Sequence, residues 1–188
     1  MLDIGCGNGH LLNAAISRGW DATGYDVDAK TTQDVSNKLD IEVHSGDFFS
    51  AVNPDNEFDL VSMHQVLEHI KNPNKYLTKI SSIMKKDGCF FIAVPNIKSL
   101  SNKIKSFLEN KGLRTKNIGK YYDTNHHLLY FEPTTLLKLV ESHGFKVVYQ
   151  RNGHSARAGQ SGISRFLMRN MTERFFAKST FLIIAKKI

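Results

Sequence analysis

Apolar positions along this chain follow two rhythms. Short β-rich runs at residues 2–4, 22–25, 42–44, 58–63 and 89–94, with later ones at 146–150 and 180–185, read as strands. Between them, apolar residues recur every three or four positions, which fits helices at 10–18, 30–39, 73–85 and 133–143. Pro73 and Pro133 suit a first helical turn, where no backbone N–H is needed, and Gly19 and Gly144 stand just past helix ends. Strands alternating with helices predict an α/β domain, doubly wound, with a mostly parallel sheet covered on both faces.

Two stretches are too long for ordinary connections. Residues 96–132 contain their own amphipathic segment at 100–110 and are expected to be a lid or substrate-binding insertion. Residues 152–179 separate the last two strands. There Ile163, Phe166, Leu167, Met171 and Phe175 repeat at helical spacing, with Arg165, Arg169 and Glu173 on another face. This basic amphipathic segment reads either as a helix packed over the sheet edge or as a peripheral membrane contact through 163–176. The sequence contains no internal repeat and no low-complexity tract.

With 188 residues, 41% of them hydrophobic, the chain can bury one sizeable core, so residues 1–188 are expected to form a single domain with these two insertions. Cys6 and Cys89 lie in a glycine-rich loop and an apolar run, not at zinc-like or disulfide-framework spacings, which favours a reducing, cytoplasmic setting. No apolar run approaches the roughly 20 residues that span a bilayer, so a soluble protein is expected. The net charge of +7 is unevenly divided: residues 1–96 carry 8 basic and 13 acidic side chains, and residues 97–188 carry 17 and 5. A basic half suits an anionic partner, or simply solvates exposed helices.

The most informative stretch is Leu2-Asp3-Ile4-Gly5-Cys6-Gly7-Asn8-Gly9, a strand entering a glycine loop and then a helix. Glycines permit positive φ and close approach of backbone amides to a ligand, and the helix N-terminus adds partial positive charge. A nicotinamide-dinucleotide fingerprint would place its third glycine at position 10, which is His10. The loop instead resembles motif I of class I S-adenosylmethionine-dependent methyltransferases, a hydrophobic strand followed by (D/E)xGxGxG, and matches it at every specified position. Downstream, VLEHIKNP, the PN ending of the 89–96 run and the HHLLYFEPTTLLKLVESHGF block resemble the branch that includes ubiquinone-type O-methyltransferases and related small-molecule enzymes. The resemblance covers residues 2 to about 150. It implies a Rossmann-like seven-stranded sheet with an antiparallel last strand.

For the site, the resemblance implies S-adenosyl-L-methionine as cofactor, its aminocarboxypropyl part held by the Asp3 region and the loop backbone at Gly5, Cys6 and Gly7. Asp26, followed by Val27, ends the second strand at the position of a ribose-binding carboxylate, with Asp28 as a competitor. Asp47 and Phe48 stand where this family contacts adenine. Met63, His64 and Gln65 end the fourth strand at the carboxyl edge and are expected to border the cofactor. Some of the branch place a divalent metal on acidic residues and a histidine near here. Glu68 and His69 match, but Gln65 replaces the first acidic ligand, so no metal is expected and Glu68 and His69 are expected to make structural hydrogen bonds. His127 and His64 are the candidate catalytic bases, with His126 a competitor.

The expected activity is methyl transfer to oxygen or nitrogen of a small-molecule, sugar or lipid-linked acceptor that bears an anionic group. Alternatives are an RNA methyltransferase, which the basic half suggests but the MHQ ending of the fourth strand speaks against, and a cofactor-binding module with little activity. A nicotinamide-dependent reductase ranks below these. Most relatives carry a helical segment before the first strand, and Met1 lies at the start of that strand. One wall of the site is therefore left to the insertions or to a segment outside this sequence.

Overall fold

A computed structural model of the chain describes residues 1–53, 57–98, 107, 111–112, 127–153 and 180–188. Seven strands, β1 (Leu2–Ile4), β2 (Thr23–Tyr25), β3 (Val43–His44), β4 (Phe58–His64), β5 (Met84–Pro95), β6 (Phe145–Gly153) and β7 (Thr180–Lys187), form one sheet in the order β3-β2-β1-β4-β5-β7-β6. The first five are parallel neighbours, and β7 inserts antiparallel between β5 and β6. This is the Rossmann-like arrangement with an antiparallel last strand that the motifs imply. The chain winds outward from β1 to β3 and then returns to β4 on the other side of β1. The crevice at the carboxyl ends of β1 and β4 is therefore the topological switch point, where such sheets bind ligands.

The helices are α1 (His10–Ile16), α2 (Ala29–Leu39), α3 (Phe48–Ala51), α4 (Pro73–Ser82) and α5 (Pro133–Glu141), with a 3₁₀ turn at Leu67–His69. Pro73 and Pro133 each open a helix, and Asn72 caps α4 by accepting from the Lys75 N–H at 3.1 Å. Two apolar clusters flank the sheet. Leu12, Ala15 and Val35 of α1 and α2 pack with Cys6 and Ala22, while Leu77, Ile80, Leu136 and Val140 of α4 and α5 join the larger cluster around β1, β4, β5 and β7. β1 is buried along its whole length, Asp3 included, as befits a central strand covered on both faces.

Several boundaries differ from the pattern-based expectation. α4 stops at Ser82 instead of running to residue 85, because Met84 pairs with Phe58 and begins β5. Ile83 and Met84 are fully buried there, and an irregular register with Asp87 at φ 62° carries the strand on to Cys89. α1 ends at Ile16 in a tighter turn, with Arg18 and Gly19 N–H groups donating to the carbonyls three residues back. The short α3 was not expected. The amphipathic stretches at 100–110 (Phe107 apart) and 163–176 lie outside the described residues, as does His126. No helix among the described residues is long and apolar enough to cross a membrane.

Candidate functional site

The glycine loop is fastened to the second strand at three points. Gly5 and Cys6 N–H groups both donate to the Tyr25 carbonyl, at 2.7 and 3.0 Å, and the Gly7 N–H donates to Asp26 Oδ2 at 3.0 Å. Gly5 and Gly7 both have positive φ, 75° and 47°, but for different reasons. A Cβ on Gly5 would lie 2.2 Å from Val66 Cγ2, whereas one on Gly7 would meet nothing within 4 Å. The first glycine lets the loop pack onto the chain after β4; the second borders open space, where a ligand can approach the backbone.

Asp26 stands at the carboxyl end of β2, half-buried, with its other oxygen accepting from the Asp28 N–H at 3.2 Å. A carboxylate has about four acceptor sites, so both oxygens keep capacity for hydroxyl donors. Asp28 is committed elsewhere. It caps α2, accepting from the Lys30 N–H at 3.0 Å and the Thr31 hydroxyl at 2.8 Å, and the Thr31 bond leads the causes that hold its carboxyl below the usual range. Val27, between them, is 77% exposed beside the crevice.

Asp3 lies beneath the loop, only 4% exposed. It accepts the buried Ser62 hydroxyl at 2.5 Å. Burial pushes its carboxyl up to about 6, the Ser62 bond pulls the other way, and the charge of Asp26 adds to the rise. Cys6 is sealed in the smaller core cluster, and burial, reinforced by Asp3 and Asp26, pushes its thiol up to about 12. Its side chain is packing, and its backbone is committed within the loop, the N–H to the Tyr25 carbonyl and the carbonyl to the Gly9 N–H.

Asp47 is exposed at the start of α3, with the Ser50 hydroxyl 3.3 Å from Oδ2. Phe48 corrects the expectation of an adenine contact through its ring. It is fully buried, stacked on Tyr76 with centroids 4.9 Å apart and edge-on to Tyr25 at 5.1 Å, so no face is left for a ligand. An apolar residue after a site aspartate reads the same whether it lines a pocket or fills a core. Met63 is likewise a core residue, paired with Ile4 and Ile92 at 0% exposure. The next two residues do emerge at the carboxyl edge: His64 is exposed, and Gln65, at φ 57°, turns the chain while its N–H donates to the Ala93 carbonyl at 2.8 Å.

Glu68 also departs from expectation. It is 1% exposed, and neither carboxylate oxygen has a hydrogen-bond partner among the described residues. Burial pushes its carboxyl up to about 7, opposed by the nearby N–H dipole of its own backbone and by His69. The start of α4 is capped by Asn72, not by Glu68 or His69. The Glu68 carbonyl instead accepts from Leu128 and Leu129 N–H groups, at 2.9 and 3.0 Å, which brings His127 to the same turn. The His69 and His127 rings lie 5.0 Å apart at 66°, and ligand atoms of Glu68, His69 and His127 all fall within 4.8 Å of one another. Sequence spacing could not reveal this convergence, since His127 lies near the far end of the long insertion, some sixty residues from Glu68.

A groove of about 870 Å³ lies at the opposite edge of the sheet, lined by Trp20, Asp21, Asp40, Glu42 and Asp59 among others. It borders the amino ends of the parallel strands and contains none of the glycine-loop residues, so its size does not make it the cofactor site.

A family model described as a methyltransferase domain matches residues 1–150. Among curated relatives, the ubiquinone biosynthesis O-methyltransferase of Glaesserella parasuis serovar 5 (strain SH0165) is 31% identical over 106 residues, covering 51% of this chain and 45% of the relative. The chain spans about half the length of the first curated relatives it matches. Among solved structures, a SAM-dependent methyltransferase from Archaeoglobus fulgidus superposes with a TM-score of 0.69 at 23% identity, covering 99% of this chain and 85% of the other. One from Methanosarcina mazei gives 0.70 at 18% identity, covering 100% and 91%. The family match across most of the chain and the motif I loop on this Rossmann-like sheet lead to one conclusion: this chain belongs to the class I S-adenosylmethionine-dependent methyltransferases.

Proposed function

We propose that the protein binds S-adenosyl-L-methionine at the carboxyl edge of β1, β2 and β4 and transfers its methyl group to an oxygen or nitrogen of a small-molecule, sugar or lipid-linked acceptor bearing an anionic group. The observation that carries this reading is the Gly7 N–H to Asp26 bond, which couples the glycine loop to the carboxylate beside it. Open space at Gly7 gives the aminocarboxypropyl part room against the loop backbone, and Asp26 keeps acceptor capacity for the ribose hydroxyls. Exposed Asp47 is available to the adenine amino group.

When bound, the cofactor supplies an activated methyl, the carbon–sulfur electron pair leaving with sulfur as the new bond to the acceptor forms. The protein's part is to hold the acceptor in line at about 3–3.5 Å and to receive its proton. His64 and His127, both imidazoles near this edge, suit proton removal near neutral pH. The charge asymmetry of the sequence supports an anionic group on the acceptor, and the ubiquinone-type relatives support a small hydroxylated ring.

Calorimetry with S-adenosylmethionine and S-adenosylhomocysteine tests the reading. Wild type is expected to bind both, and Asp26→Ala to bind about tenfold to a hundredfold more weakly, the loss expected when hydrogen bonds to a charged group are removed. Equal affinity in the variant would remove Asp26 from the site. Binding of NADH without S-adenosylmethionine would replace the cofactor, and salt-sensitive retention of RNA would replace the small-molecule acceptor.

A further inference from the structure

Ser62 stands opposite Asp3 in the parallel pairing of β4 with β1 and is 1% exposed. Its single hydroxyl proton has two acceptors in reach, Asp3 Oδ1 at 2.5 Å and the Leu2 carbonyl at 3.5 Å, and the shorter contact takes it. Among the described residues the Asp3 carboxylate has this one hydrogen-bond donor, so Oδ2 is left without one. Its surroundings supply no positive charge. Asp26, at the end of β2, adds to burial in disfavouring the Asp3 charge, the Cys6 thiol of the loop feels that same charge, and Gly24 of β2 flanks it on the side away from Ser62. No Lys, Arg or His among the described residues forms an ion pair with it. A carboxylate buried in this way calls for a cation from outside the chain.

We propose that Ser62 is a positioning residue for the cofactor, holding Asp3 Oδ1 so that Oδ2 accepts a hydrogen bond from the ammonium of the aminocarboxypropyl part. This rests on the cofactor reading above and adds to it a residue and a proton. Asp26 takes the Gly7 and Asp28 N–H groups and, in that reading, the ribose, which leaves Asp3 as the carboxylate beneath the loop with an oxygen lacking a donor. Without the cofactor, burial keeps a proton on Asp3 up to about pH 6. In that state the carboxyl O–H can donate to Ser62, whose own proton turns to the Leu2 carbonyl. An arriving ammonium favours the ionised form: the carboxyl proton leaves to solvent, and the Ser62 proton swings back to Oδ1. A hydroxyl serves both states, which no alanine could do.

Calorimetry of S-adenosylhomocysteine binding in two buffers of different ionisation enthalpy, from pH 5 to 8, counts the protons released. Wild type is expected to release about half a proton per ligand at about pH 6 and none by about pH 8, with affinity rising up to about tenfold per pH unit below 6 and level above it. Ser62→Ala loses the bond that holds the carboxyl down, so its release should extend to higher pH and its affinity at neutral pH should fall about tenfold. Ser62→Thr, which keeps the hydroxyl, should follow wild type. Asp3→Asn should lose the release, and its difference from wild type separates Asp3 from His64. An affinity loss in Ser62→Ala that is equal at every pH would make Ser62 merely structural, and release undiminished in Asp3→Asn would assign the proton to another group; either result overturns the proposal. Circular dichroism checks the fold of each variant, and if Ser62→Ala does not fold, Asp3→Asn decides. Binding by wild type without proton release defeats this inference alone, whereas no binding at all defeats the cofactor reading as well.

Discussion

Asp3 shows how one residue can be read in sequence for its place in a motif and yet owe its chemistry to burial. Its folded-state carboxyl titrates at about 6, above the ordinary 3.8, because burial disfavours the charge more than the Ser62 bond supports it. Between those two values the folded state keeps a proton that the unfolded chain has lost. Stability therefore falls as pH rises through about 4 to 6 and loses nothing more from this group above that. The effect amounts to at most about 3 kcal/mol. Urea unfolding of wild type and Asp3→Asn at intervals across that window should show the wild type losing stability relative to the variant as pH rises; parallel profiles would exclude the mechanism. At the same scale, Glu68 was legible as a residue of interest, but its lack of partners was not, because local spacing says nothing about which groups a folded chain brings near.

At the scale of elements, the glycine loop separates two demands that the motif writes identically. Gly5→Ala combines positive φ with a contact of 2.2 Å to Val66 and is expected to cost about 2–4 kcal/mol of stability. Gly7→Ala meets no atom and should cost about 1–2 kcal/mol while weakening S-adenosylhomocysteine binding. Denaturant unfolding beside calorimetry on both variants checks this, and a Gly7→Ala protein with unchanged affinity would remove the loop backbone from the site. The strand–helix alternation was readable because the apolar period changes between elements. Ends were less readable. Lys85 has good helix propensity, but pairing of Met84 with Phe58 drew that stretch into β5. Asp28 competes with the expected Asp26 in sequence, and the structure separates them by bonding Asp26 to the loop and using Asp28 to cap α2.

For the whole molecule, the sheet has two edges with opposite character. The glycine loop, Asp26 and His64 meet at the carboxyl edge, whereas the large acidic groove lies at the amino edge. Hydrogen exchange with saturating S-adenosylhomocysteine should slow amides at 5–9, 26–28 and 64–65 and leave those at 40–42 and 57–60 unaffected. Protection confined to the second set would move the ligand to the groove. The test concerns the assembled sheet, since no single element contains either edge.

What the sequence by itself determined is the order of elements, the glycine loop and the acidic residues that follow each early strand, because each is encoded by contiguous residues whose propensity and spacing act locally. The antiparallel last strand was legible only through family resemblance. Tertiary structure decided which of those residues are sealed: Phe48, Met63 and the Cys6 side chain went to the core because neighbouring elements cover them, which no local pattern records. It also decided the meeting of Glu68, His69 and His127. That arrangement depends on the chain returning across a long insertion and closing two backbone hydrogen bonds on one carbonyl, a long-range contact whose geometry exists only once the sheet is assembled.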